Sequence, residues 1–252
     1  MNDFLSPTAW ALLFAVISAA VLIGMTVLHR RREPIDAIRE ISTIKDLEPQ
    51  LRRAAESGEP LHIALGTGSL TGTETVSSLA AVQLLEALVD SAVSYDVPPI
   101  VTVGDPTLVP LAQDALRRAY ERNHIPEFYD PTRVRFVAPS TMAYGAGAIP
   151  VGVPENVTAN VLVGTFGSEA SFLVDFSDQT GTPRSAVVDA VQGIGALYPS
   201  TDQLALGEEL YAAGAQLTDE KRFAVSLLAQ DILRGLLVVM IVLGAIVALI
   251  GG

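Results

Sequence analysis

Two long apolar runs, residues 8–28 and 233–250, bracket a stretch in which short apolar segments alternate with amphipathic ones. Each run is close to the ~20 residues a helix needs to cross the ~30 Å hydrocarbon layer. The only charge inside either is Arg234, at the start of the second. Both therefore read as transmembrane helices. After the first, Glu33-Pro34 breaks the run. Apolar residues at helical spacing through 35–44, with Leu47 and Leu51, then predict a juxtamembrane helical connector ending near Gly58-Glu59-Pro60.

From there the pattern predicts strands at 61–65, 100–103, 134–137, 160–163 and 185–191, with helices at 74–91, 106–123 and 168–176. Leu79, Val82, Leu85, Leu88 and Val89 form the expected inward stripe of the first helix. Strands alternating with helices predict an α/β fold, a Rossmann-like, mostly parallel sheet flanked by helices, with one transmembrane helix at each end. Residues 202–217 read as a further helix ended by Gly214. Thr218 would cap another, with Asp219 and Glu220 in its first turn. That helix would run on into the membrane, about 48 Å from Asp219 to Ile250 at 1.5 Å per residue, or kink at Gly235. The domain reading is thus 1–29 for the first membrane helix, 30–60 for the connector, 61–217 for the α/β domain and 218–252 for the last helix.

Charge sets the orientation. His29-Arg30-Arg31-Arg32 follows the first run, and Lys221, Arg222 and Arg234 precede or open the second. Both basic flanks face the middle, which the positive-inside rule makes cytoplasmic, with both termini outside the inner membrane. A cleaved signal peptide would carry its basic residues before the apolar run, not after it. The middle, 36–231, holds 12 basic against 26 acidic side chains, a net charge of −14. Such a surface repels nucleic acid, which is excluded as a partner. Only the triple arginine would feel anionic lipid. There is no cysteine, so disulfide, thiolate and zinc–cysteine chemistry are excluded.

Candidate chemistry concentrates in Gly66-Thr67-Gly68-Ser69-Leu70-Thr71-Gly72, between a predicted strand and a predicted helix. Glycines there let backbone amides approach a phosphate at a helix N-terminus. The spacing is one residue longer than the dinucleotide fingerprint, and Asp105 lies 33 positions after Gly72 where about 20 is usual. Pro106 beside it makes Asp105 a helix cap as well. Gly66, Gly68, Ser69, Gly72 and Asp105 are the candidate ligand residues, with the cofactor unknown. Gly104-Asp105, Pro139-Ser140-Thr141 and Gly164 to Glu169 are expected at the same carboxyl edge, where open parallel sheets bind ligands. Tight strand-to-helix turns select the same small residues, with Ser168 or Thr73 as caps.

Other chemistries find no carrier. No lysine stands where a nucleotidase loop needs one, and the two in the chain, Lys45 and Lys221, lie far from any predicted strand end. His29 belongs to the membrane flank, His62 opens the first strand at the wrong end for an α/β site, and His124 follows a surface helix. None is placed to activate Ser69, Ser140 or Ser168. Glu208 and Glu209 are adjacent on a helix and point about 100° apart. No catalytic or metal-binding residue is assigned. The small residues of Tyr144-Gly145-Ala146-Gly147-Ala148 and Gly193-Ile194-Gly195-Ala196 permit close backbone contact within the fold or between subunits. Ala20 with Gly24 and Gly244 with Ala248 do the same for the membrane helices.

Three segments, His62-Ile63-Ala64-Leu65-Gly66-Thr67-Gly68, Ala159-Asn160-Val161-Leu162-Val163-Gly164 and Gly207-Glu208-Glu209-Leu210-Tyr211-Ala212-Ala213-Gly214-Ala215, carry a resemblance. The chain resembles a family of uncharacterised bacterial membrane proteins with an α/β domain between two membrane helices. The resemblance implies that arrangement and a bacterial source, and transfers no catalytic residue. The leading expectation is a membrane-anchored structural or assembly protein, a homo-oligomer or membrane-complex subunit whose acidic domain self-associates or docks a partner. The other is a membrane-tethered sensor or enzyme binding a nucleotide or small anion at the carboxyl edge. Transport through the two helices would lack a polar path.

Overall fold

The computed structural model describes residues 47–152, 156–189, 191–201 and 203–218, with eight positions nearer the chain ends. The chain divides into two units, residues 39–218 and the two ends, 1–38 with 219–252. In the second unit Ala20, Gly24, Leu233, Arg234, Gly235, Leu237, Val238 and Ile241 are helical, and Leu237, Val238 and Ile241 are exposed. The rest of the predicted membrane runs, their basic flanks and the helix expected after Thr218 lie outside the described residues.

The first unit is an α/β domain. Helix α1 (Leu47–Ser57) leads into β1 (Leu61–Gly66), α2 (Thr75–Ser94), β2 (Pro99–Val103), α3 (Val109–Arg122) and β3 (Val134–Phe136). Then come α4 (Thr141–Gly152), β4 (Ala159–Thr165), α5 (Ala170–Thr180), β5 (Arg184–Val188), α6 (Val191–Leu197), β6 (Gln203–Leu206) and α7 (Glu209–Thr218). The six strands form one sheet in the order β3-β2-β1-β4-β5-β6, every pairing parallel. That is the doubly wound order in which the strand sequence reverses between β1 and β4. The inner strands are buried on both faces, as a parallel sheet covered by helices requires, whereas the edge strands β3 and β6 are partly open.

Alternation along the strands feeds two cores. Leu61, Ile63, Leu65, Val101, Val103, Val161, Val163 and Val187 point to one face, where Leu84, Leu85 and Leu88 of α2, Leu116 of α3, Leu210 of α7 and Leu51 with Ala54 of α1 cover them. Ala64, Leu162, Ala186 and Val188 point to the other, under Tyr144 and Ala148 of α4, Leu173 of α5 and Leu197 of α6. The segment read as a connector thus contributes to the larger core through α1. Gln50 also donates to Ser185 Oγ at 2.8 Å, tying α1 to β5.

Several expectations need correction. The stretch 202–217 is not one helix: Gln203–Leu206 forms the edge strand β6, and α7 runs through Gly214 to Thr218. Thr218 is its last residue, and a helix after it lies outside the described residues. β5 ends at Val188, so 191 opens a helix, α6. Helix α4 was not anticipated. Gly145 and Gly147 explain it, since a Cβ on Gly145 would stand 2.9 Å from Glu169 Cβ and Phe172 Cδ2, and one on Gly147 2.5 Å from Val137 Cγ1. These glycines, like Gly193 against the Phe166 carbonyl, serve close packing within the fold, while Gly195 faces open space. Leu79 leaves the expected inward stripe and is exposed. Neither Thr73 nor Ser168 caps: the residues preceding α2 and α5 are Glu74 and Glu169, without side-chain cap bonds. Among the described residues only α2 is long and apolar enough to cross a membrane, and it is a core helix of this domain.

Candidate functional site

At the carboxyl end of the sheet the β1–β4 junction is irregular, the register shifting between Ala64 and Gly66. Gly66 has φ +69° and Gly164 φ +105°, a region that an L side chain rarely enters. A Cβ on Gly66 would lie 2.1 Å from the Thr165 carbonyl oxygen, so nothing larger than glycine fits. The two strands stay paired through Gly66 and Thr165, with Thr67 N–H still donating to the Thr165 carbonyl, and the Gly66–Gly72 turn leaves the sheet from this irregular end. This is the switch point in the strand order, where open parallel sheets hold their ligand crevice.

The five residues proposed from sequence divide. Gly66 and Gly68 line the crevice. Gly66 donates its N–H to the Tyr144 hydroxyl at 3.2 Å, and Gly68 lies against Ser78 and Thr165, where a Cβ would meet Ser78 Oγ at 2.6 Å. Ser69 is turned to its own loop, pairing with Thr71 Oγ1 at 2.9 Å. Gly72 has open space around it. Asp105 caps the 3-10 turn Pro106–Leu108, accepting from Thr107 N–H at 2.8 Å and from the Thr107 hydroxyl. That hydroxyl also accepts from Leu70 N–H at 3.2 Å, so Asp105 holds the loop through Thr107.

The loop is a poor phosphate cradle. Thr67 N–H donates to Thr165 O (3.1 Å), Leu70 N–H to Thr107 Oγ1 and Thr71 N–H to Ser69 Oγ (3.1 Å). Three of the loop's amides are thereby taken within the fold.

Sequence reasoning did not single out the polar groups that surround this turn. Glu169, 0% exposed, accepts at Oε1 from Gly167 N–H (2.8 Å) and the Thr67 hydroxyl (3.3 Å), but its Oε2 has no partner. Ser78, 2% exposed, leaves its Oγ unpaired beside Gly68. Asp189 accepts from Thr165 Oγ1 at 3.1 Å through Oδ2, while its Oδ1 is buried and unpaired. A buried polar atom without a partner costs about 1–3 kcal/mol; Glu169 and Ser78 stand directly against Thr67 and Gly68, and Asp189 is linked to them through Thr165. The only signal in the sequence was Glu169 closing the Gly164–Glu169 segment, since its fold back onto Gly167 is a matter of backbone geometry.

Beneath the crevice runs a second polar system in which every bond is made. Tyr144 takes the Gly66 N–H and lies 3.3 Å from Thr102 Oγ1. Thr102 Oγ1 is 2.9 Å from His62 Nε2, and His62 Nδ1 is 2.8 Å from Asn160 Oδ1. Asn160 Nδ2 donates to Ser177 Oγ (2.9 Å), which donates to Leu173 O (2.9 Å). Since Asn160 Oδ1 can only accept, the proton sits on His62 Nδ1 and Thr102 donates to Nε2. Burial pushes His62 down to about 4, outweighing the Asn160 bond, so the imidazole is neutral at pH 7. Burial likewise raises the Tyr144 phenol, which stays protonated. His62 therefore holds strands together and does not face the crevice. Among the described residues no three His, Asp or Glu side chains gather as metal ligands.

A model of a domain of unknown function, DUF6754, matches residues 2–252. No curated protein and no solved structure matches the chain.

Proposed function

Because the chain belongs to the DUF6754 family, whose description carries no activity, function has to come from its own geometry, and we propose a membrane-anchored protein whose α/β domain binds a small molecule in the β1–β4 crevice. The observation that carries this is the set of unpaired buried oxygens of Glu169, Ser78 and Asp189 around the turn after β1, at the point where open α/β sheets take their ligands. The anchors are supported by the two apolar runs, by their helical described residues and by the exposed Leu237, Val238 and Ile241. The basic flanks support a cytoplasmic domain at a bacterial inner membrane by the positive-inside rule.

The test is a native mass spectrum of the full-length protein from mild detergent. A mass excess of several hundred daltons per chain that survives delipidation and is lost in Glu169→Gln supports the crevice. A bare chain mass, with no small molecule shifting the melting temperature, would sink it.

A second reading, assembly or docking without a ligand, draws on Val76, Leu79, Phe136 and Met142, exposed apolar side chains near the carboxyl ends of β1 and β3. It predicts a defined oligomer without added mass, dissociated by Phe136→Asp.

A further inference from the structure

The ligand's chemistry follows from which groups lack a partner. Resting on the crevice reading, we infer that the ligand carries a primary ammonium group received by Glu169, Asp189 and Ser78. The unpaired atoms are two carboxylate oxygens and one hydroxyl. All three can accept, and an alkylammonium brings three N–H donors and no acceptor. Each is tied to the same turn: Glu169 bonds Thr67, Ser78 abuts Gly68, and Asp189 bonds Thr165, whose hydroxyl would be 3.3 Å from a Cβ on Gly68.

An anion fits badly. The amides of Thr67, Leu70 and Thr71 are taken, and the two ionisable side chains bonded around the turn, Glu169 and Asp189, are both acids. The ion-paired arginines are placed elsewhere, with Arg117, Arg118 and Arg122 joining Asp114, Glu121, Glu86 and Asp90 on α2 and α3, and Arg184 joining Asp178. The net charge of −14 over residues 36–231 draws cations toward the domain and repels phosphates.

Titration calorimetry on the full-length protein in mild detergent tests this with two probes, the diamine putrescine and inorganic pyrophosphate. Saturable putrescine binding, at least tenfold weaker in both Glu169→Gln and Asp189→Asn and unchanged in Gly72→Ala, is the expected result. Circular dichroism shows whether each variant is folded, and Asp189→Asn carries the test if Glu169→Gln is not. Putrescine binding that ignores both substitutions overturns the inference, since the amine would then sit on the acidic surface. Pyrophosphate bound in place of putrescine overturns the ammonium assignment and leaves the crevice reading standing. Neither probe bound, with no retained mass in the native spectrum, removes both.

Discussion

Two buried polar systems meet at Gly66, and they are built to opposite rules. The one running from Tyr144 through Thr102, His62 and Asn160 to Ser177 has a partner for each of these bonds. The one above it, around Glu169, Ser78 and Asp189, leaves three oxygens unpaired. A closed network is what a structural role produces, since each bond made offsets the loss of water. An open one costs stability in the protein alone and persists where something else supplies the donors. The buried histidine, which draws the eye first, thus belongs to the scaffold, and the inconspicuous glutamate belongs to the proposed site.

Breaking the joint between the two systems has the largest expected effect. Gly66→Ala places a Cβ against the Thr165 carbonyl at a left-handed φ and should cost about 4 kcal/mol or more, read as loss of the cooperative unfolding transition in urea. Opening the closed system comes next: Asn160→Ala strands His62 Nδ1 and removes the Ser177 bond, for about 3 kcal/mol by the same measurement.

Acid should act on that system too. The folded His62 titrates near 4 against 6.5 for a free imidazole, so the unfolded chain takes the proton first. The stability this residue protects is whole above about pH 6.5 and falls away as pH drops to about 4, by roughly 3 kcal/mol in all. A pH series of melting curves that stayed flat across that window would refute the neutral, closed network. Smallest is the effect in the open system: Glu169→Gln should change stability by no more than about 1 kcal/mol, because the charge it removes is short of a partner. A loss as large as that of Asn160→Ala would erase the distinction between the two.

Much of the fold was legible. The inner strands are short runs rich in Val, Ile, Leu and Ala, broken by His62, Thr102 and Asn160, and Asp105-Pro106 announced a cap that the structure contains. What escaped was set by tertiary contact. Gln203–Leu206 is a four-residue, half-buried edge strand made by pairing with β5. Thr141–Gly152 is helical although glycine-rich, because Gly145 and Gly147 admit α5 and Val137 at close range. The site divided in the same way. The glycine loop was visible as spacing, while the orphaned oxygens depend on which hydrogen bonds the backbone has already used, a quantity that no spacing encodes.

The strand order also has a consequence in time. Leu61 pairs with Ala159, so the centre of the sheet cannot close until β4 has been made. Meanwhile α2, the long apolar core helix, has left the ribosome, and α7, which packs on it, ends only at Thr218. At synthesis rates of about 5 to 20 residues per second, the 124 residues from Ser94 to Thr218 take roughly 6 to 25 s. For that interval the apolar face of α2 that α7 will cover stands without that cover, open to any other apolar surface until the last helix arrives.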